Sequence, residues 1–189
     1  MLSEWFGHIL DRPLEPLAKR ISFSPNILTI AGLFVNAAAA ALISYNLFIA
    51  GLVVIAGGLF DMLDGIVARA NSKTTRLGAF LDSTLDRYSD SLLLVGALWY
   101  FSSASDIAGV MVSVGALVGS LVTSYARARA EGLGVECKVG ILERPERVVI
   151  IALGCLTSLL FPAMVIIFVL SHITVLQRII HVCKQLGED

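Results

Sequence analysis

The sequence predicts an all-α integral membrane protein, with six transmembrane helices preceded by an amphipathic juxtamembrane helix. Three observations carry this reading. The 189 residues are 57% hydrophobic and only 15% charged, with a mean hydropathy of +0.83. A soluble domain has about 25% charged and about 45–50% apolar residues, and a chain of this size could not hide so much apolar surface from water. Apolar blocks recur at about the ~20-residue length of one span. Finally, the 14 Lys and Arg residues all fall where a six-span layout puts one side of the membrane.

Each element has its own justification. Over residues 2–20, Leu2, Trp5, Phe6, Ile9, Leu10, Leu14 and Leu17 alternate with Glu4, His8, Asp11, Arg12, Lys19 and Arg20. This pattern suits a helix lying on the membrane surface. The same segment lacks an uninterrupted apolar stretch and carries Pro13 and Pro16, so it does not read as a signal peptide. Ser24-Pro25-Asn26 reads as a helix start. The spans are expected at about 26–44, 47–70, 76–101, 106–127, 143–160 and 162–181, all within a single domain covering 1–189. The final apolar block, 148–176, would be about 43 Å long as one helix at ~1.5 Å per residue, against a hydrocarbon core of ~30 Å. A hairpin at Leu160-Phe161-Pro162 is therefore expected to divide it.

Charge placement sets the orientation. Six spans put both termini, the 71–76 turn and the 127–147 connection on one side, and these regions with their adjoining helix ends hold every Lys and Arg. Five spans would put Arg178 and Lys184 on the other side. Both termini are thus expected to be cytosolic, in a multi-pass protein of the cell (plasma) membrane. A net charge of −1 gives no general pull toward nucleic acid. Cys137, Cys155 and Cys183 are too widely spaced for a metal or disulfide motif, and His8, His172 and His181 show no metal spacing.

The informative residues are acids inside spans. Asp61 and Asp64 are spaced i, i+3, and Asp82 and Asp86 i, i+4, so each pair shares a helix face. The two helices are expected to be antiparallel neighbours whose acidic faces meet. Asp86 lies ten residues past Arg76, roughly 15 Å along a helix. A charge at that depth costs at least ~2.5 kcal/mol, and four together need compensation. Three readings of the spacing stay open. Hard divalent cations suit an oxygen-only donor set. Ion pairs with Arg69 and Arg87 would make a buried network. A proton path would make a transporter. Asp90 continues the row as a structural or supporting residue. Gly65 and Gly78 flank the acidic faces and leave room for close approach. Gly115 and Gly119 form a G-x-x-x-G that packs a helix, within the chain or at a dimer interface.

Asp61, Asp64, Gly65, Ala68, Arg69, Gly78, Asp82 and Asp86 together match D-x2-D-G-x2-A-R-x8-G-x3-D-x3-D. In this motif the chain resembles the CDP-alcohol phosphotransferase (CDP-alcohol phosphatidyltransferase) family, and the likeness extends over nearly the whole chain. The resemblance implies that Asp61, Asp64, Asp82 and Asp86 bind two divalent ions, Mg2+ or Mn2+, and that Asp86 is the general base. It implies that Pro25, Asn26, Thr29, Gly65, Ala68, Arg69, Thr75 and Gly78 contact the CDP-lipid.

Three further segments bear on the acceptor. They are Tyr125-Ala126-Arg127-Ala128-Arg129-Ala130-Glu131, Glu143-Arg144-Pro145-Glu146-Arg147 and Thr174-Val175-Leu176-Gln177-Arg178. They put several guanidinium groups at one level, suited to a phosphate monoester. The plain alternative is positive-inside charge partnered by Glu143 and Glu146. The segments resemble the family branch that contains phosphatidylinositol phosphate synthase and its archaeal counterpart. That likeness implies transfer of a phosphatidyl-type group from CDP-diacylglycerol or CDP-archaeol to inositol 1-phosphate, with release of CMP. It implies that Arg127, Arg144, Arg147 and Arg178 hold the acceptor's phosphate, and that the protein works as a homodimer among membrane lipids. Glycerol 3-phosphate as acceptor, CDP-inositol as donor, and a proton-coupled transporter are the alternatives.

Overall fold

A computed structural model describes residues 25–70 and 75–187, which form six α-helices. They are α1 (Pro25–Ile43), α2 (Leu47–Ala70), α3 (Arg76–Ser103), α4 (Ile107–Gly132), α5 (Arg144–Leu156) and α6 (Leu160–Leu186). No strand occurs among the described residues. The expected surface helix at 2–20 lies outside them, as do residues 71–74 of the turn between α2 and α3.

Local chemistry accounts for the helix ends. Pro25 opens α1, where its missing N–H costs nothing. Thr75 caps α3, its hydroxyl accepting from the Gly78 amide at 2.9 Å. Asp106 caps α4 in the same way through the Gly109 amide, at 3.0 Å. At the start of α5 the Glu146 carboxylate accepts from the Glu143 amide at 3.0 Å, and Pro145 sits in the first turn.

Four helices, α1, α2, α4 and α6, are long and apolar enough to cross a membrane. The other two differ for physical reasons. Asp82, Asp86, Arg87 and Asp90 load α3 with charge, and α5 has only 13 residues. The expected hairpin is displaced. The chain turns at 157–159, with Ser158 at φ 58°, and Pro162 lies inside the first turn of α6. A proline is tolerated there because the first amides of a helix have no intrahelical acceptor. The fourth span also continues to Gly132, so the connection to α5 is only 133–143.

The helices pack as a ring in the order α1, α2, α5, α6, α4, α3, and back to α1. Ala39, Ile43, Val54, Leu93, Leu94, Ile151, Met164 and Ile167 fill its centre. Small residues draw neighbours together: a Cβ on Gly96 would lie 2.5 Å from the Ala40 carbonyl oxygen, so α3 touches the backbone of α1. Gly115 and Gly119 serve α6 of the same chain. A Cβ on Gly115 would come within 2.6 Å of the Phe168 ring, and Gly119 faces Ser171 and His172. The glycine pair is thus an internal packing device. Outside, Phe34, Phe48, Leu52, Trp99, Met111 and Ile180 are exposed, as a lipid-facing surface requires.

Candidate active site

One expectation about the acidic helices is corrected. Helices α2 and α3 follow one another in sequence but are not close-packed neighbours. Both pack on α1, and α5 stands against α2 and, more lightly, α3. The acidic faces therefore look into a gap. Asp61 and Asp64 project from α2, and Asp82, Asp86 and Asp90 from α3. Asp64 is within electrostatic reach of Asp82 and Asp61, and Asp86 of Asp82, Asp61 and Asp90. Asp64 and Asp90 are buried. Asp61 is admitted by Gly32 of α1, where a Cβ would lie 2.5 Å from its Oδ1.

The cation in the gap is Arg144, the first residue of α5. Its Nη2 is bonded to Asp61 Oδ2, its Nη1 stands 3.1 Å from Asp86 Oδ1, and its Nε donates to Asp90 Oδ1 at 3.3 Å. One turn on, Arg147 donates to Asp90 Oδ2 from Nε at 3.1 Å and from Nη2 at 2.7 Å. The ion-pair reading named Arg69 and Arg87. Arg87 donates to the Ser83 carbonyl of its own helix and lies within electrostatic reach of Asp82. Asp90 is a structural partner of Arg147, as its place in the row suggested.

Two cavities flank this cluster. The first, about 250 Å3, is lined by Pro25, Asn26, Thr29, Gly65, Ala68, Arg69, Thr75 and Gly78, with Asp64 and Asp82. All eight residues expected at the CDP group therefore share one space. Gly78 keeps that space open: a Cβ would come 3.0 Å from Thr75 Oγ1 and 3.4 Å from Asn26 Oδ1, a tight fit.

The second cavity, about 300 Å3, is lined by Arg127, Arg144, Arg147 and Arg178, with Asp86, Arg87, Asp90, Thr123, Ser124 and Glu143. All four expected acceptor arginines converge, although none is idle. Arg127 bonds Glu131 at 2.9 Å and stands 3.4 Å from Glu143. Arg178 donates to the carbonyls of Val139 at 2.9 Å and Thr123 at 2.6 Å. These bonds tie the 133–143 connection to α4 and α6. Thr174 helps, accepting from the Leu142 amide at 3.1 Å. Gly140, at φ 134°, adopts a backbone that favours glycine beside the Thr174 methyl. Sequence reasoning missed Thr123, Ser124 and Gly32. The first two adjoin the arginine-rich end of α4, and nothing in the local pattern marks Gly32.

The donor chemistry fits hard divalent cations. The cluster offers only carboxylate oxygens, and Asp64 Oδ2 is buried with no hydrogen-bond partner. Among the described residues, however, no three acidic, His or Cys side chains stand in a geometry that could hold a metal ion. Asp61, Asp86 and Asp90 are gathered around the Arg144 guanidinium.

Comparison with known proteins decides the family. Residues 22–183 match the model of the CDP-alcohol phosphatidyltransferase family. The chain belongs to that family. Within the CDP-alcohol phosphatidyltransferases it is 38% identical to the archaetidylinositol phosphate synthase of Methanothermobacter thermautotrophicus, over 96% of this chain and 94% of that protein. The fold is similar to that of Mycobacterium tuberculosis phosphatidylinositol phosphate synthase in its crystal structure with CDP-DAG bound. The TM-score is 0.83 at 36% identity, over 91% of this chain and 94% of the other. The same enzyme in complex with manganese and citrate gives 0.82 at 36% identity, over 91% and 88%.

Proposed function

We propose that this protein transfers a phosphatidyl-type group from a CDP-lipid to inositol 1-phosphate and releases CMP. The observation that carries the proposal is the position of the α3 acids between two cavities. Asp82 lines the glycine-rich cavity, and Asp86, one turn later, lines the arginine-rich one. Along α3 that step is about 6 Å. A donor diphosphate and an acceptor hydroxyl bound on the two sides would therefore meet at the carboxylates. The names of the similar enzymes favour the inositol phosphate acceptor.

Each residue then has a task. Pro25, Asn26, Thr29, Gly65, Ala68, Arg69, Thr75 and Gly78 receive the CDP group. Asp61, Asp64, Asp82 and Asp86 hold two divalent ions, Mg2+ or Mn2+, whose part when bound is to neutralise the diphosphate. Arg127, Arg144, Arg147 and Arg178 orient the acceptor through its phosphate. Asp86 accepts the proton of the acceptor hydroxyl. The oxygen forms a bond to the lipid-side phosphorus, the bond from that phosphorus to the bridging oxygen breaks, and CMP departs with the electron pair.

The setting follows from the same reading. One domain crosses the membrane six times, with α3 and α5 joining the four apolar helices. The termini and both cavities face the cytosol, the side that carries the Lys and Arg residues. A homodimer is part of the proposal and must use a surface other than the internally packed Gly115 and Gly119. A panel of labelled acceptors offered with a CDP-lipid and Mn2+ tests the function. Label from inositol 1-phosphate should enter the lipid phase with stoichiometric CMP. Preference for glycerol 3-phosphate reassigns the acceptor, and no CMP from any acceptor removes the proposal.

A further inference from the structure

Arg144 combines two environments that pull it in opposite directions. Its guanidinium bridges Asp61 on α2 to Asp86 and Asp90 on α3. It also forms part of the wall of the arginine-rich cavity, beside Arg127, Arg147 and Arg178. Asp61, Asp64, Asp82, Asp86 and Asp90 bring five carboxylates to the gap. Arg147 bonds Asp90, while Arg144 reaches Asp61 and Asp86 as well as Asp90 and acts electrostatically on Asp82. Buried carboxylates cannot stay charged without such a partner.

We propose that Arg144 is an exchangeable counter-ion. In the metal-free protein it neutralises the acidic gap. When a divalent ion takes over the carboxylates, the guanidinium turns into the neighbouring cavity and completes the site for the acceptor's phosphate. The inference rests on the metal and acceptor reading given above, and adds that the two bindings are coupled through one side chain.

Four features make the exchange feasible. Arg144 stands among Asp61, Asp86 and Asp90, three carboxylates from two helices. Asp64 Oδ2 is buried with no hydrogen-bond partner among the described residues, so this carboxylate keeps an oxygen that a cation could use. Asp90 keeps two hydrogen bonds from Arg147, so losing Arg144 does not orphan it. The backbone at Arg144 is fixed by the Glu143–Glu146 bond and Pro145, so the movement is confined to a flexible side chain. A cation in the gap repels the guanidinium, and an anion in the cavity attracts it. By reciprocity each ligand then tightens the other by the same factor.

The test is Mn2+ binding to the full chain in lipid nanodiscs, with and without saturating inositol 1-phosphate, and again with glycerol 3-phosphate. The unaltered protein should bind Mn2+ roughly tenfold more tightly when the phosphate ester is present, within the usual range for coupled sites. Arg144→Gln should bind Mn2+ alone more tightly, because no resident cation must be displaced, and should lose the coupling. Its metal-free melting temperature should fall, and Mn2+ should raise it by more than in the unaltered protein. Arg144→Lys keeps the charge without the three-way fork, so its Mn2+ affinity should lie between the two and its coupling should shrink. Unchanged Mn2+ affinity and unchanged coupling in both variants would make Arg144 a fixed structural ion pair and overturn the inference, while leaving the proposed reaction standing. No Mn2+ binding to the unaltered protein would remove both.

Discussion

The two cavities are built in opposite ways. The glycine-rich one takes most of its wall from a single stretch, the end of α2 and the start of α3, completed by the first turn of α1. Its means are small residues and a helix cap. The arginine-rich one is assembled from the middle of α3, the end of α4, the start of α5 and the end of α6. Its means are charged side chains, each already bonded to a carboxylate or a carbonyl. The first is a shaped space and the second an electrostatic one. The same substitution strategy should therefore damage them differently.

The largest effect is expected where the two meet. Asp86→Asn should lower the transfer rate by about 10²–10⁴-fold, the usual contribution of a positioned base, while CDP-lipid binding survives. Isothermal titration with CDP-lipid beside a CMP-release assay would read both. A variant that turns over at the original rate removes Asp86 as base and weakens the idea of a shared boundary.

Arg147→Ala should come next, through stability. It leaves the buried Asp90 without its closest partner, and breaking a buried pair costs about 3–5 kcal/mol. The melting temperature in nanodiscs should fall sharply, and Asp90→Asn in the same background should recover part of the loss. A melting temperature equal to the unaltered protein's would show that the arginine-rich cavity is not held by its own ion pairs.

Arg178→Ala should act mainly on the acceptor. It removes the bonds to Val139 and Thr123, and hydrogen bonds to charged groups are worth about 1.5–3 kcal/mol each. KM for the acceptor should rise at least tenfold, with KM for the CDP-lipid within about twofold. Equal rises would merge the two cavities into one functional site. The smallest effect is expected at Gly78→Ala, where the new methyl meets Thr75 Oγ1 at 3.0 Å. Its few-fold rise in KM should fall on the CDP-lipid alone.

The same contrast explains what could be read in advance. Asp61 through Asp86 is local, so helical period placed each pair of acids on one face, and Asp64, Gly65, Ala68, Arg69, Gly78 and Asp82 of the glycine-rich wall all lie in one motif. The period says which way a residue faces but not what it faces. Helices α2 and α3, taken for packed neighbours, are instead separated, with α1 and α5 supplying the contacts. The Arg144–Asp61 pair joins residues 83 positions apart, and Arg147–Asp90 joins residues 57 apart. No local pattern encodes such partners, so the spacing offered Arg69 and Arg87 as ion-pair candidates and not Arg144 and Arg147. Pro162 misled for a local reason: a proline marks a helix boundary but does not say whether the turn comes before or after it.

The brevity of α5 carries a consequence of its own. At ~1.5 Å per residue its 13 residues reach only about 20 Å, roughly 10 Å short of a ~30 Å hydrocarbon core. In the proposed six-span arrangement that shortfall would fall at the Arg144 end of α5, the end that lines the arginine-rich cavity. On that reading a charged, soluble molecule need not cross the full hydrocarbon thickness to meet a partner dissolved in the membrane. The truncated helix would then bring the shoreline toward the aspartates that Arg144 bridges.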